Sequence, residues 1–415
     1  MTITVLVAPS GFKESLGVKE VAEAIAVGVH RAMPGANVLK APMADGGEGF
    51  VEALTDATGG EIHHLTVTGP VGQPVDSYLG FLGGAAKRTA VIEMAAAAGL
   101  RLVPRESRNP MLTTSYGVGE LIKAALDSGA ERILIGCGDS GINDGGAGMA
   151  QALGARLLDA SGNDLPFGGG ALINLAAIDT SGIDPRLAGV EVDAAVNWHN
   201  MLLGPRGVAR VFGPQKGATP EQVEMLEQAL EHYARCIARD ICVDVAGLQG
   251  SGASGGLGAG LAAFAGARLH PRYDVVMQYL EFERLLSGAD LVITAEGSLD
   301  GQSPYGKIPC EVGRRAHERG LPVIALAGTI GKGVDSTFAN GIDAFASIIK
   351  RPCTLDEAIS KAEKLLMRAA EDAIRMVRIG MVMDERAIAS TACSNAAAAA
   401  HGPAASCCNT LAPPA

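Results

Sequence analysis

One recurring local pattern limits the possible folds of this chain more than any other feature. Short runs rich in branched apolar residues are each followed by a loop and by a stretch with apolar residues at helical spacing. Strands that are apolar on both faces and alternate with helices are typical of parallel sheets covered on both sides. The pattern therefore predicts an α/β protein. The runs are "ITVLVAPS", "TAVIEMA", "ERILIGCG", "ADLVITAEG" and "LPVIALAGT".

Length and charge narrow the class of protein further. With 415 residues, 48% of them hydrophobic, the chain can form two domains with sizeable cores. The net charge is −11 and basic residues form no long run, which argues against nucleic acid or an acidic membrane as partner. Glycine or charged residues interrupt the apolar stretches, so that each is shorter than a membrane span, and no basic leader precedes the first of them. We expect a cytoplasmic protein that acts on a small molecule.

Polar and glycine-rich loops follow several of the predicted strands. Ligands bind parallel sheets beyond the carboxyl ends of the strands, so these loops are the expected site. Glycine lets a backbone approach a ligand closely, but a tight turn needs glycine as well. The sequence leaves open which loops share one sheet edge. The loops are "APSGFKESL", "ADGGEGF", "GCGDSGINDGGAGM" and "AEGSLDGQSPYGKIP".

The segment "GQSPYGKI" (301–308) is close to a phosphate-binding P-loop but has Ile308 where that motif needs Ser or Thr. It lies between a predicted strand and a predicted helix, and free N–H groups at a helix start favour phosphate. Lys307 is therefore a candidate phosphate ligand, with an ordinary surface lysine as the alternative. Glu296 and Asp300 are candidate Mg²⁺ ligands because this ion prefers oxygen, with helix capping as the alternative for each.

A second acidic segment, "ADGGEG" (44–49), places Asp45 and Glu48 on either side of two glycines. Glycine permits a backbone bend that lets both carboxylates face one pocket. The alternative is a turn that carries two incidental acids.

The segment "RNPMLTTSYGVGELI" (108–122) offers an arginine and three hydroxyls at a predicted helix start. Arg108 is suited to a carboxylate or a phosphate, and the hydroxyls of Thr113, Thr114 and Ser115 lie where free N–H groups attract anions. Helix capping alone explains the hydroxyls, but it leaves the arginine unexplained.

Two more loops carry residues suited to a nucleotide. "GPQKGA" (213–218) presents Gln215 and Lys216 between small residues. "GSGASGGLGAGL" (250–261), with Gly255 and Gly256 at its centre, would let a nucleotide lie close to backbone. Glycine-rich loops alone are weak evidence because many are only turns.

Taken in this order, the segments resemble the glycerate kinase family, which phosphorylates glycerate with ATP and is unrelated to P-loop kinases. The resemblance covers residues 3–378 and includes "PMADGGEGFVEAL", "VTGPVGQPV" and "NDGGAGMAQALGA". It implies a discontinuous flavodoxin-like domain (1–68 and 288–380), a larger inserted mixed α/β domain (69–287) and an active site in the cleft between them. Residues 381–415 are rich in Ala, Ser and Pro and predict a poorly ordered extension without chemistry.

The resemblance implies ATP and Mg²⁺ as cofactors and glycerate as substrate, and it leaves a homodimer as one option. Phosphoryl transfer needs positive groups at the γ-phosphate and little help from a base. In our hypothesis Asp45 or Asp144 holds Mg²⁺ or accepts the hydroxyl proton. The assigned residues are Asp45, Asp144 and Lys13 for catalysis, Arg108, Asn143, Asn200 and Ser115 for the substrate, Lys216, Gln215, Lys307, Gly255 and Gly256 for the nucleotide, and Asp45, Glu48, Glu296 and Asp300 for the metal.

The chain departs from the family pattern near the expected pocket. The family usually has aspartate and serine where this chain has Ser10 and Gly11, threonine in place of Ile142, and aspartate in place of Asn197. We conjecture from charge counting that the added Asp139 offsets the lost carboxylates. The alternatives are a kinase of the same fold for another hydroxy acid, such as a tetronate, and an inactive homologue that binds a metabolite or nucleotide. A dehydrogenase fits less well because no GxGxxG follows the first strand.

Overall fold

The structure is a computed structural model that describes residues 3–12 and 15–400, with side chains described up to residue 383. The strands are β1 (Thr4–Val7), β2 (Asn37–Lys40), β3 (Glu61–Thr68), β4 (Pro74–Phe81), β5 (Thr89–Glu93), β6 (Arg132–Gly136), β7 (Arg156–Leu158), β8 (Ala177–Asp179), β9 (Glu191–Val196), β10 (Arg268–Pro271), β11 (Leu291–Leu299), β12 (Val323–Ile330) and β13 (Ala344–Ser347). The α-helices are α1 (Val18–Ala32), α2 (Phe50–Thr58), α3 (Ala95–Ala98), α4 (Tyr116–Asp127), α5 (Ala147–Ala152), α6 (Val208–Phe212), α7 (Pro220–Asp240), α8 (Ala253–Phe264), α9 (Arg272–Tyr279), α10 (Phe282–Ser287), α11 (Ile308–His317), α12 (Leu355–Ser360) and α13 (Ala362–Ala400).

The first sheet combines strands from the two ends of the chain. Its order is β13-β12-β11-β1-β2, and every neighbouring pair is parallel. Read from β2, this is the strand order of flavodoxin-like doubly wound folds. The order reverses between β1 and β11, and such folds bind ligands at that switch point. The predicted α/β class with a flavodoxin-like parallel sheet is confirmed.

The second sheet is mixed, as predicted, and has the order β10-β9-β6-β5-β4-β3. β4 is antiparallel to both β3 and β5, whereas the other pairs are parallel. The boundary predicted after residue 68 needs correction, because β3 pairs with β4 along its whole length. The chain passes from the first sheet to the second between β2 and α2, over residues 41–49.

A shared core lies between the two sheets. It contains Leu6 and Val292 from the first sheet, Leu134 and Ala195 from the second, and Phe282 from α10, all buried. Removing such side chains from water is the main favourable contribution to folding. This continuous core keeps the two sheets packed together.

The C-terminal part differs from the expectation of a poorly ordered segment after residue 380. Helix α13 continues to Ala400, through a run of alanine, the residue with the highest helix propensity. Its first half packs on α1 through side chains that include Leu366, Ala370 and Ile374. Residues 401–415 of the predicted tail lie outside the described residues. Within the described part of the chain, no helix combines the length and apolarity that a membrane crossing requires.

Candidate active site

The loop that carries Asp45 (residues 41–49) joins the two sheets. It leaves β2 of the first sheet and enters α2, which packs on β3, β4 and β5 of the second. At Gly47 the backbone lies so close to the loop after β6 that an added Cβ would be 2.2 Å from an Asp139 carboxylate oxygen. The same carboxylate accepts the N–H of Glu48 at 3.1 Å. Two of the predicted loops therefore lie together.

Asp45 lies beside a cation that sequence reasoning missed. Arg272, the first residue of α9, places Nη1 3.4 Å from Asp45 Oδ2, and its guanidinium lies 4.6 Å from the centre of the Tyr273 ring. Burial raises the pKa of Tyr273 to about 12, and the carboxylates of Asp45 and Glu296 act in the same direction. The strand before Arg272 reads "RLHP" and lacks the apolar pattern of the other strands, so little in the sequence indicates this position.

Glu296, in the second half of β11, adds a carboxylate from the first sheet to the charged cluster of Asp45 and Arg272. Burial raises the pKa of Glu296 to about 7, while the positive charges of Lys307 and Arg272 act in the opposite direction. Its Oε2 atom is buried and has no hydrogen-bond partner among the described residues. The charge of Asp45 also acts on Glu296. The edge of β11 and the Asp45 loop therefore form one electrostatic environment.

Lys307 lies directly before α11, at the helix start that the sequence predicts. Its Nζ donates to the Ser298 carbonyl at 2.9 Å and lies 3.3 Å from Asp300 Oδ2. Burial opposes ionisation of Asp300, but the Gln302 N–H and Lys307 together lower its pKa. Neither Asp300 nor Glu296 caps the helix. Lys307 is partly exposed, so its cationic end can reach a ligand.

The four predicted Mg²⁺ ligands are not gathered into one group. Within the described residues, no three or more His, Cys, Asp or Glu side chains are placed to hold a metal ion together. Glu296 is the predicted ligand with an unpartnered buried oxygen among the described residues. The other carboxylates face cations, in the pairs Asp45 with Arg272, Glu48 with Arg101 and Asp300 with Lys307.

Asp144 is completely buried in the loop between β6 and α5. Its Oδ2 accepts the N–H of Ser115 at 2.7 Å, the Ser115 hydroxyl at 2.8 Å and the N–H of Gly148 at 3.2 Å, and its Oδ1 accepts the N–H of Gly146 at 3.1 Å. Burial raises the pKa of Asp144, and these hydrogen bonds act in the opposite direction. Both oxygens are engaged by the protein, so Ser115 and Asp144 join the starts of α4 and α5.

Lys216 is buried next to this loop. Its Nζ donates to the Ser140 hydroxyl at 2.9 Å and to the Ile142 carbonyl at 2.6 Å. Burial lowers the pKa of Lys216 to about 7, and the charge of Asp144 acts in the opposite direction. The residue predicted as a phosphate ligand therefore already supports residues 140–142. Its predicted partner Gln215 is exposed.

Asn143 is fully buried, yet neither polar atom of its amide has a hydrogen-bond partner among the described residues. Arg108 Nε and Ser254 Oγ are likewise buried without a partner in the described part of the chain. The three segments are linked, because Gly217 packs on Arg108, the neighbouring Lys216 donates to the Ile142 carbonyl, and Gly255 packs on residues 142–143. A buried amide without a partner costs about 1–3 kcal/mol, which a polar ligand would offset.

The glycine-rich loop before and within α8 is shaped by packing. Gly255 and Gly256 have φ of 73° and 87°, and a Cβ on Gly255 would lie 2.0 Å from the Ile142 carbonyl oxygen. These positions need glycine because two loops touch there, and the nucleotide contact stays a prediction. The Asn200 carbonyl accepts the Gly252 N–H at 3.0 Å, so Asn200 borders the same loop.

The positions that depart from the family pattern fall in different surroundings. The Ser10 N–H donates to the Ala295 carbonyl at 2.8 Å, which places Ser10 and the neighbouring Gly11 at the switch point. Asn197 follows β9, and its side-chain oxygen accepts the His199 N–H at 3.2 Å. The Ile142 side chain is buried in the core of the second sheet. Lys13, a predicted catalytic residue, lies outside the described residues.

Lys216 is expected to make stability depend on pH above neutrality. In the folded protein burial lowers its pKa from 10.5 to about 7. Between these values the unfolded chain binds more protons, so the free energy of unfolding rises with pH. In Lys216→Met this rise, followed by urea unfolding between pH values of about 7 and 10, should be smaller than in the wild type. Lys123→Met removes an exposed lysine from α4 and serves as control. An unchanged rise in Lys216→Met would contradict the expectation.

These features describe a doubly wound α/β protein with charged groups at the switch point of one sheet and buried polar atoms without partners, among the described residues, beside the other. A comparison with protein-family models matches the Glycerate kinase family over residues 5–378. "Glycerate kinase" from Bacillus subtilis (strain 168) is 46% identical over 379 residues, covering 91% of this chain and 99% of the relative. "Glycerate 2-kinase" from Escherichia coli (strain K12) is 46% identical over 377 residues, covering 91% and 98%.

A solved structure gives the same result. The crystal structure of a "putative glycerate kinase 2" from Salmonella typhimurium LT2 is 48% identical to this chain, with a TM-score of 0.81, and the match covers 92% of this chain and 100% of that one. The chain belongs to the glycerate kinase family. The predicted family and the predicted class of enzyme, a kinase, are thereby confirmed.

Proposed function

We propose that this protein is a glycerate kinase that transfers the γ-phosphoryl group of ATP to a hydroxyl of glycerate, giving phosphoglycerate and ADP. The relative named "Glycerate 2-kinase" favours the 2-hydroxyl as acceptor. The observation that carries the proposal is the buried amide of Asn143, which has no partner among the described residues and lies in a loop that Lys216 and Gly217 join to Arg108. ATP as substrate favours the cytoplasm as the place of action.

The buried polar groups of Arg108, Asn143 and Ser254 suit a small hydroxy acid. The planar guanidinium of Arg108 can bind a carboxylate through two parallel hydrogen bonds. The Asn143 amide offers one acceptor and two donors, which matches hydroxyl groups. The Ser254 hydroxyl, which has no partner among the described residues and which sequence reasoning did not select, offers a further polar contact. Glycerate presents the required groups, a carboxylate and two hydroxyls, within a small volume.

The phosphates of ATP are assigned to the switch point of the first sheet. Lys307 lies at the start of the ten-residue helix α11, where free N–H groups favour anions. Arg272 supplies a second cation beside Asp45. Such positive groups stabilise the charge that spreads over the γ-phosphoryl oxygens during transfer. Lys13 stays in the proposal on the resemblance alone.

A magnesium ion fits this edge through the chemistry of its carboxylates. Mg²⁺ is usually held by one or two carboxylates together with substrate phosphates and several waters, so a larger protein cluster is not required. Glu296 has a buried oxygen without a partner among the described residues, and Asp45 acts on its charge. Bound with ATP, the ion would neutralise phosphate charge.

Asp45 is the better proton acceptor of the two predicted carboxylates. Its side chain is 41% exposed and faces the cluster with Arg272, whereas both oxygens of Asp144 are hydrogen-bonded inside the protein. A base accepts a proton only if it can reach the hydroxyl group. Asp144 is therefore assigned to holding the loop around Asn143.

The test is ADP release from Mg-ATP by the purified protein, measured with D-glycerate, L-glycerate, erythronate, threonate and tartronate. We expect turnover with glycerate, and added enolase should form phosphoenolpyruvate if the 2-hydroxyl is the acceptor. Turnover with another acid only would make this chain a kinase of the same fold with an altered substrate. In that case the changes at Ser10, Gly11, Ile142 and Asn197 would be the first positions to examine. No release with any acid would favour a binding protein.

A further inference from the structure

Glu93 is a buried carboxylate that the catalytic assignment does not use. It is the last residue of β5, pairs with Gly136 of β6 and has no exposed surface. Its Oε2 accepts the N–H of Phe50, the first residue of α2, at 2.9 Å. The residue that precedes the helix is Gly49, which has no side chain to cap it. A carboxylate from a neighbouring strand therefore performs the capping that helix starts require.

The cap lies where the Asp45 loop ends. This loop crosses from the first sheet to the second, and α2 begins directly after it. The Phe50 side chain is completely buried against Gly136, and the Glu48 N–H donates to Asp139. The hydrogen bond from Phe50 to Glu93 is thus one of a few contacts that fix the end of the loop on the second sheet.

Both carboxylate oxygens of Glu93 have partners inside the protein. Its Oε1 lies 3.4 Å from the Tyr78 hydroxyl, which can donate to it. The charges of Arg101 and Glu48 act on it from the surface. Burial raises the pKa of Glu93 to about 7, while the N–H groups of Val51 and Phe50 at the start of α2 act in the opposite direction.

We propose that Glu93 is a positioning residue that holds the Asp45 loop in its working position by capping α2 from β5. The proposal rests on the proposed kinase function, in which Asp45 acts on the substrates. Glu93 itself touches neither substrate. Because a displacement of about 1 Å at a reacting group can reduce turnover about 100-fold, loss of the cap should be visible in kcat.

Three variants separate the cap from the charge. Glu93→Gln keeps an oxygen that can accept the Phe50 N–H, Glu93→Asp keeps the charge but is too short to reach it, and Glu93→Ala keeps neither. We expect kcat with glycerate to stay within about threefold of wild type in E93Q, and to fall about 100-fold in E93A and clearly in E93D. Asp184→Ala is the control, because it removes a capping carboxylate beside the Arg186 N–H, before β9. It should leave kcat unchanged.

Hydrogen exchange of the full chain provides a readout that does not depend on activity. In E93A and E93D, amides of residues 44–52 should exchange faster than in wild type, while those of β6 should not. Unchanged exchange there, or an active E93D beside an inactive E93Q, would overturn the proposal. If the wild type shows no acid-dependent ADP release, the proposed function fails, yet the exchange data still test the cap. If E93A does not fold, E93Q and E93D still test the proposal, because kcat should be higher in E93Q than in E93D.

Discussion

Asn143→Ala is expected to lose most of the kinase activity while remaining at least as stable as the wild type. The amide is buried and has no hydrogen-bond partner among the described residues, so no hydrogen bond seen in the fold is lost with it. A hydrogen bond between uncharged groups contributes about 0.5–1.5 kcal/mol, and the amide can make several to the substrate hydroxyls. Losing the contacts to a bound hydroxy acid should reduce kcat/KM for glycerate about 100-fold.

Asn143→Ala is expected not to lower the free energy of unfolding, which is unusual for a substitution at a buried position. A buried polar group without a partner costs about 1–3 kcal/mol, and its removal offsets the loss of packing in the pocket. Urea unfolding and thermal unfolding should therefore give midpoints equal to or above those of wild type. Most substitutions at completely buried positions lower the midpoints, so the combination of retained stability and lost activity identifies a ligand-binding residue.

A matched control exists in the same sheet. Ser77 on β4 also has a buried hydroxyl without a partner among the described residues, but it lies outside the loops of the site. Ser77→Ala should preserve both stability and kcat/KM. An Asn143→Ala protein with wild-type kinetics would remove the amide from the substrate pocket. A large drop in its unfolding midpoints would show that the amide has a structural role instead.

The architecture could be predicted because its signal is local. Strands buried on both faces and followed by helical spacing appear directly in runs such as "ERILIGCG" and "LPVIALAGT". Sheet membership is not local, since β3 has the composition of an exposed strand and its antiparallel partner is set by the hairpin with β4. The domain boundary was therefore placed after β3, whereas the chain enters the second sheet's layer before α2; the class of fold was correct.

The site could be predicted only in part, because sequence gives residue types at loops but not their burial. The loops at Asp45 and Asp139 do meet, as the position after strands implies. Lys216 and Lys307 are both lysines beside glycine, yet the first is buried and bonded to a loop, whereas the second is partly exposed. Arg272 was missed since it follows a strand without an apolar pattern.

The same limit explains the two interpretations of Asp144. An aspartate after a glycine-rich loop can be a catalytic group or the centre of a buried hydrogen-bond network, and the letters "NDGG" fit both. The structure shows four donors around its two oxygens. Substitution of Asp144 is therefore expected to lower stability more than activity, which is the reverse of the effect expected for its neighbour Asn143.

Asp144→Asn is expected to destabilise the protein by about 3 kcal/mol, the scale for breaking a buried charged network. The amide oxygen can replace one carboxylate oxygen, but the NH₂ group then faces a backbone N–H, that of Gly146 or those of Ser115 and Gly148. Asp144→Ala leaves all four donors without their acceptor and should be mostly unfolded. Urea unfolding midpoints and the yield of soluble protein measure both effects.

Asp45→Asn is the matched control, because this carboxylate is 41% exposed and belongs to the charged cluster with Arg272 in which we place the reaction. It should keep the wild-type urea midpoint and lose activity, whereas Asp144→Asn should lose stability and keep turnover within about tenfold once rates are divided by the folded fraction. Wild-type stability together with lost turnover in Asp144→Asn would contradict the structural role. Asp144 would then act on the substrate or its metal, and the hydrogen bonds seen around it would have to open during the reaction.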